Sequence, residues 1–305
     1  MFGNVRLIVV FVAFFSAVAK AQDATQHSTP DSQSQRREST SAKKDPKRVA
    51  DLLVSVSFDM RAKAYNRALA TAQRVQGMHA AAYGAESLPA ADDNLLIGQI
   101  YLAQRKPHEA LRAFAAADGV RTMLAGWLDP GRLPILDRLN DAFTAITGHG
   151  DETTYRQALS IREVLYGENS SELICTVEGL ANLYFTERMA GAEDLYLRLL
   201  ALWAGAVGKD HPMVAVTLDK LVVFYIRYGE PEKAREALAR SVAIRARFLA
   251  RGLSLQAEDA VSENHPERAT ALYNRALAAL GPPLTENEES IAEIKRALAE
   301  IGSSR

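Results

Sequence analysis

The stretch LICTVEGLANLYFTERMAGAEDLYLRLLALW, residues 173–203, decides the fold. Its apolar residues fall into two runs. Leu173-Ile174, Val177, Leu180-Ala181 and Tyr184 make the first; Ala192, Leu195-Tyr196, Leu199-Leu200 and Trp203 make the second. Each run follows the i, i+3, i+4, i+7 spacing that collects side chains on one face of an α-helix. Gly191 stands between them as a breaker. Two short helices joined by a turn cannot cover both apolar faces, so the hairpin must stack on neighbours.

The neighbours recur at a fixed step. Tyr155-Arg156-Gln157-Ala158-Leu159 returns 41 residues on as Tyr196-Leu197-Arg198-Leu199-Leu200. Leu139, Leu180 and Leu221 keep the same step, as do Phe143, Tyr184 and Tyr225, and Gly167 and Gly208. Ala192 and Ala234 are 42 apart, which places one extra residue in the turn after Tyr225. A turn tolerates such a change, whereas inside a helix it would rotate the apolar face away.

The stretch Gly208-Lys209-Asp210-His211-Pro212 through Leu218, then Tyr225 and Gly229-Glu230-Pro231-Glu232-Lys233-Ala234, resembles the long tetratricopeptide repeat of the kinesin light chain type. Gly167 to Glu172 reads as a degraded copy of the G-x-D-H-P loop. Ala158 to Glu163 and Val242-Ala243-Ile244-Arg245 resemble the family's second-helix ending. Upstream, Ile97-Gly98, Tyr101, Ala110 and Phe114 are similar to the ordinary 34-residue repeat, with Asn94 at its tryptophan position. Tyr65-Asn66-Arg67-Ala68-Leu69 is repeated identically at Tyr273 to Leu277, each expected in the second helix of a unit. The resemblance implies an all-α, right-handed α-solenoid of stacked helix-turn-helix hairpins over residues 46–283. A C-terminal capping helix is expected over 284–302, opened by a capping box at Thr285 and Glu288 and stopped by Gly302.

The N-terminus has a different character. Arg6, the apolar run Leu7 to Val18 and Ala19-Lys20-Ala21 form the pattern of an export signal cut after Ala21. Residues 22–45 are polar and charged, the composition of a disordered linker. The expected location is periplasmic or secreted, without stable membrane insertion after cleavage.

No catalytic fingerprint is present. The six histidines offer no i, i+4 metal pair. His211 is expected to serve its turn, with His265-Pro266 in a similar setting. Cys175 is expected to be packed or to line the groove, and Trp127 and Trp203 to lie in the core. A single cysteine excludes an internal disulfide framework. A formal net charge of −1 over 305 residues gives no drive towards nucleic acid. No enzyme activity, cofactor or metal is therefore expected.

In the resembled family the first helix of each unit lines a concave, ligand-binding face. The groove positions six residues before Phe143, Tyr184 and Tyr225 are Asp137, Glu178 and Asp219. Asp141 and Asn182 occupy the next position, which is Val223 in the third unit. Such a carboxylate ladder would favour a protein or peptide partner with a basic segment. Where many members of the family hold peptide backbone with asparagine, this chain has Arg138, Gly179 and Lys220. Arg138 and Lys220 are placed to pair with neighbouring acids and neutralise part of the ladder. The expected function is an exported, non-catalytic scaffold that binds a partner in its groove. The alternative is a periplasmic ligand or signal-peptide sensor, which would need a deep pocket.

Overall fold

The computed structural model describes residues 46–281 and 287–303. The expected export signal, the linker and Thr285 lie outside the described residues. Those residues are helical with short turns, and no strand occurs among them. They fall into two compact units, divided between Ile97 and Gly98.

The first unit contains α1 (Pro46–Arg61), α2 (Tyr65–Tyr83) and the start of α3 (Leu88–Ala103). Val49, Val75 and Met78 form its core, with Leu52, Leu53 and Ala82 packed on it. Two buried acids are tied in place. Asp59 accepts from Arg67 at 2.8 Å, and Asp93 meets His79 Nδ1 at 2.8 Å. Burial pushes the Asp93 carboxyl up, and the His79 hydrogen bond acts against that.

The second unit is a solenoid of hairpins. It runs through α4 (Pro107–Ala125), α5 (Leu133–Thr147), α6 (Glu152–Tyr166), α7 (Ile174–Thr186) and α8 (Ala192–Val207). It ends with α9 (Pro212–Tyr228), α10 (Pro231–Ser262), α11 (Pro266–Leu280) and α12 (Glu288–Ser303). The apolar positions read from residues 173–203 supply the core: Leu173, Val177, Leu180, Tyr184, Tyr196 and Leu199 are all buried. Leu195 and Trp203 pack against that core while partly exposed. The second unit is therefore an all-α solenoid of stacked helix-turn-helix hairpins closed by a terminal helix.

The turns explain the register. Five first helices end in one motif, in which a residue two or three past the C-terminal end of the helix donates its N–H to a carbonyl five residues back. The bonds are Ala64 to Asp59 O, Lys106 to Tyr101 O, Met189 to Tyr184 O, Glu230 to Tyr225 O and His265 to Ala260 O. The residue before each donor is left-handed: Lys63, Arg105, Arg188, Gly229 and Asn264. In four of these turns a buried alanine follows five residues later, at Ala68, Ala110, Ala234 and Ala269. After Arg188 it follows after four, at Ala192, and Gly191 also turns left-handed with φ 93°. The one-residue difference is thus confined to a turn, and the turn after Tyr184 is the short one. The repeated Tyr65 and Tyr273 pentapeptides both lie in second helices, but at different depths. Tyr65 opens α2, whereas Tyr273 sits in the middle of α11.

Several expectations need correction. Val242-Ala243-Ile244-Arg245 do not end a helix; α10 runs on to Ser262 and is 32 residues long in all. No proline interrupts that stretch, and a lone glycine at 252 is too weak a breaker. Gly302 does not stop α12, which reaches Ser303. Trp127 is 61% exposed rather than in the core, because it lies in the loop after Gly126 ends α4. Cys175 is exposed, which excludes the packed setting and leaves the groove-lining one.

Candidate functional site: the face of the first helices

His211 caps α9: its Nδ1 accepts from Met213 N at 3.2 Å, and Pro212 follows at the first helical position. Ser170 does the same for the turn leading into α7, accepting from Glu172 N at 3.2 Å. Asp129 does so for the turn leading into α5, accepting from Gly131 N at 3.0 Å, and Asp151 caps the second helix α6 from Thr154 N at 2.9 Å. His265 holds the cap position of α11 but makes no capping bond. The three long units are thus set by turn chemistry at matching places. Their first helices, α5, α7 and α9, carry the predicted groove residues.

Each predicted acid holds a cation of the protein itself. Asp137 accepts two bonds from Arg162 Nη2, at 2.7 and 3.0 Å. Asp219 is gripped by both Arg245 guanidinium nitrogens and by the Ser241 hydroxyl. Asp141 pairs with Arg138 at 2.7 Å. Glu178 accepts from Lys220 Nζ at 2.5 Å. Asn182 accepts from the Tyr196 hydroxyl at 3.0 Å and from Lys220 at 3.4 Å. The pattern has a simple origin. Arg162 and Arg245 occupy equivalent places on second helices, and the same place in the middle unit is Trp203. Glu178 therefore lacks the arginine its counterparts use and takes Lys220 from the next first helix. The face is a band of ion pairs, close to charge-balanced, rather than a bare carboxylate ladder.

Apolar residues flank the band. Val216, Val223 and Ile226 are exposed on α9, Ile226 at 67%. Arg227 stacks on the Phe185 ring, 3.8 Å from its centroid, and donates to Phe185 O. Gly179 has a packing reason: an added Cβ would fall 2.5 Å from Tyr155 Cε1 and Cζ. The asparagine that the resemblance would place here cannot fit without moving that ring.

A second polar series ties successive units together. Tyr184 donates to Glu152 Oε1 at 2.6 Å, and Tyr225 donates to Glu193 Oε1 at 2.9 Å. Arg156 and Lys233 sit over the two tyrosine rings. The Tyr184 hydrogen bond holds Glu152 below the usual carboxylate range, the Lys233 contact does so for Glu193, and the Arg245 contact for Asp219. A carboxyl lowered in the folded state adds stability that is complete above its unfolded value of about 4 and fades as pH falls. Urea midpoints are therefore expected to drop from about pH 5 downwards. In the Tyr184→Phe/Tyr225→Phe variant the slope should be shallower; an unchanged slope would refute the assignment.

The repeats and their stacking are shared with known proteins. Residues 173–247 match the family profile "tetratricopeptide repeat". Residues 173–247 carry tetratricopeptide (TPR) repeats. A Podosopora anserina kinesin light chain protein with nearly identical TPR-like repeats has a similar structure, with TM-score 0.55 and 17% identity. The match covers 67% of this chain and 97% of that one. A single-substitution form of that protein matches with TM-score 0.54, 17% identity and the same coverage. BtubC (BKLC) from P. vanneervenii matches with TM-score 0.53 and 20% identity, over 70% of this chain and 89% of that one. No curated protein sequence matches the chain. The TPR repeats here are therefore of the kinesin light chain type in fold.

Within the TPR face, sequence reasoning located the acids and two of their partners, Arg138 and Lys220, and missed Arg162 and Arg245. The signal was present, since Ile161-Arg162 and Ile244-Arg245 recur on second helices. The exposed Val216 and Ile226 were also missed, and Val223 was named only as the third unit's counterpart of Asp141. Among the described residues, no group of three or more His, Cys, Asp or Glu is placed to hold a metal ion. No described helix is long and apolar enough to cross a membrane.

Proposed function

We propose that this chain is an exported, non-catalytic scaffold that binds a segment of a partner protein along the face of α5, α7 and α9. The observation that carries the reading is the exposed apolar set Val216, Val223 and Ile226 beside the ion-paired band. Apolar anchors next to satisfied polar groups are the composition of a protein-binding surface. Asp137, Asp141, Glu178, Asn182 and Asp219 supply the polar contacts. A basic segment engages the acids by exchange with Arg162, Lys220 and Arg245. Because that exchange replaces one ion pair by another, it selects a partner more than it adds affinity. A sensor would need a deep pocket in this face. Two cavities of about 450 and 380 Å³ are lined by other residues, and none of the five groove residues borders either.

A photo-crosslinking amino acid at position 223, with one at the exposed second-helix position 240 as control, tests the reading in the native host. One protein adduct is expected from 223 and none from 240. Val216→Ser/Ile226→Ser should lower its yield by about tenfold, the equivalent of about 1.4 kcal/mol. Asp137→Asn/Glu178→Gln/Asp219→Asn should lower it less, and more at low salt than at high salt. Equal labelling from 223 and 240 would refute the scaffold. Export is tested by the mass of the protein from the envelope fraction, which should begin at Gln22.

A further inference from the structure

The cavity of about 450 Å³ lies among the end of α10, the first half of α11 and the last part of α12. Val261, Pro266, Ala297 and Ile301 give it apolar walls. Its polar lining is Glu258, Glu300, Asn264 and Tyr273. Asn264 belongs there because α10 ends in a left-handed turn at that residue, with φ 59°.

Tyr273 is the informative group. It is only 5% exposed, and its hydroxyl has no partner among the described residues. Yet the hydroxyl oxygen is not sealed in protein, so the opening it has is the cavity it lines. A phenol oxygen that meets no protein partner and opens into a cavity makes its hydrogen bonds with whatever occupies that space. Burial pushes its pKa up, and the negative charges of Glu258 and Glu300 add to that, so both carboxylates bear on this oxygen.

The ligand class follows from the lining. An anion would face two carboxylates. A purely apolar group would satisfy the walls and leave the phenol oxygen and the Asn264 amide unmatched. A cationic head on an aliphatic stem satisfies both parts, with carboxylate, phenol and amide oxygens around the head and the stem against Val261, Ala297 and Ile301. The volume lies within the range of small-ligand sites, with room for a side chain and its waters.

We propose that this cavity receives a lysine or arginine side chain of the bound partner. The inference rests on the scaffold reading for the source of the side chain, but not for the cavity's preference. It also changes where basic recognition happens. The groove acids hold the protein's own cations, whereas the cavity offers a buried hydroxyl with no partner among the described residues.

The test uses the full chain and small probes: n-pentylammonium and n-butylguanidinium chloride, with 1-pentanol and sodium pentanoate as controls. Methyl NMR of Ile301 reads occupancy. Saturable shifts are expected with both cations, weaker ones with pentanol and none with pentanoate. Glu258→Gln and Tyr273→Phe together should weaken the cations by about tenfold and leave pentanol unchanged. Glu258 is exposed, so Glu258→Gln alone supplies the answer if the double variant is unstable. Pentanol binding as well as pentylammonium, or cation binding indifferent to Glu258→Gln, overturns the proposal. Glu258→Gln is also expected to lower crosslinking from position 223, and an unchanged yield overturns the partner as the source. Absence of any adduct from position 223 in the unaltered chain, with cation binding intact, counts against the scaffold instead.

Discussion

Alanine at Phe114 is expected to remove about 3–5 kcal/mol of stability from the second unit, the usual cost of deleting a buried ring. Phe114 is fully buried on α4. Gly98 makes room for it: an added Cβ there would fall 2.5 Å from Phe114 Cδ1 and 2.8 Å from Cζ. The Ile97-Gly98 element of the repeat signature thus has a steric cause, with a glycine where one helix meets an aromatic ring of the next. Gly98→Ala alone should cost about 1–3 kcal/mol through overpacking. In the Phe114→Ala background the same change should be nearly neutral, because the ring it collides with is gone. Urea unfolding of the four proteins gives the cycle. Equal penalties for Gly98→Ala in both backgrounds would rule out the contact as the cause.

The second large effect is expected at Arg132, an arginine only 2% exposed. Its guanidinium donates to both Asp118 oxygens, at 2.7 and 2.9 Å, and to Gln157 Oε1 at 2.9 Å. It also donates to Trp127 O. This side chain fastens α4, the loop and α6 together. Asp118→Ala leaves the cation buried without its counter-charge and should cost about 3 kcal/mol. Arg132→Met keeps the volume, removes the charge and should cost less. The order matters more than the size. If Arg132→Met proves the more damaging of the two, packing and hydrogen bonding rather than charge compensation hold this joint. Thermal unfolding of the two variants at neutral pH decides between them.

Both sites show what the sequence made legible. The 41-residue step and the helical spacing specify which faces are buried, because periodicity is a local property of the chain. Leu139, Leu180 and Leu221 are all buried as that reading requires. The acids of the first helices were found by the same count. Their neutralisation was only half foreseen: the partners named were Arg138 and Lys220, while Asp137 and Arg162 lie 25 residues apart on different helices. A charge count cannot say which long side chains meet after packing. Trp127 was misplaced because residue type predicts burial only on average, and its position in a loop outweighed its size. The turn between the last two units was expected because repeats were expected. Nothing in residues 246–262 supplies the glycine-aspartate-histidine-proline loop that makes one in the preceding unit.

That uninterrupted α10 has a consequence for how the array comes apart. In a chain of hairpins, each repeat ordinarily contributes its own stability and a term for each junction, and terminal repeats can open first. Here one rod serves as second helix to α9 and first helix to α11. Undoing the α11 hairpin strips apolar cover from the same helix that closes the α9 hairpin. The last two repeats are thereby merged into a single cooperative block, about 48 Å along its shared helix at about 1.5 Å per residue. Fraying from the C-terminus stops being gradual at that helix: the block holds whole or is lost whole.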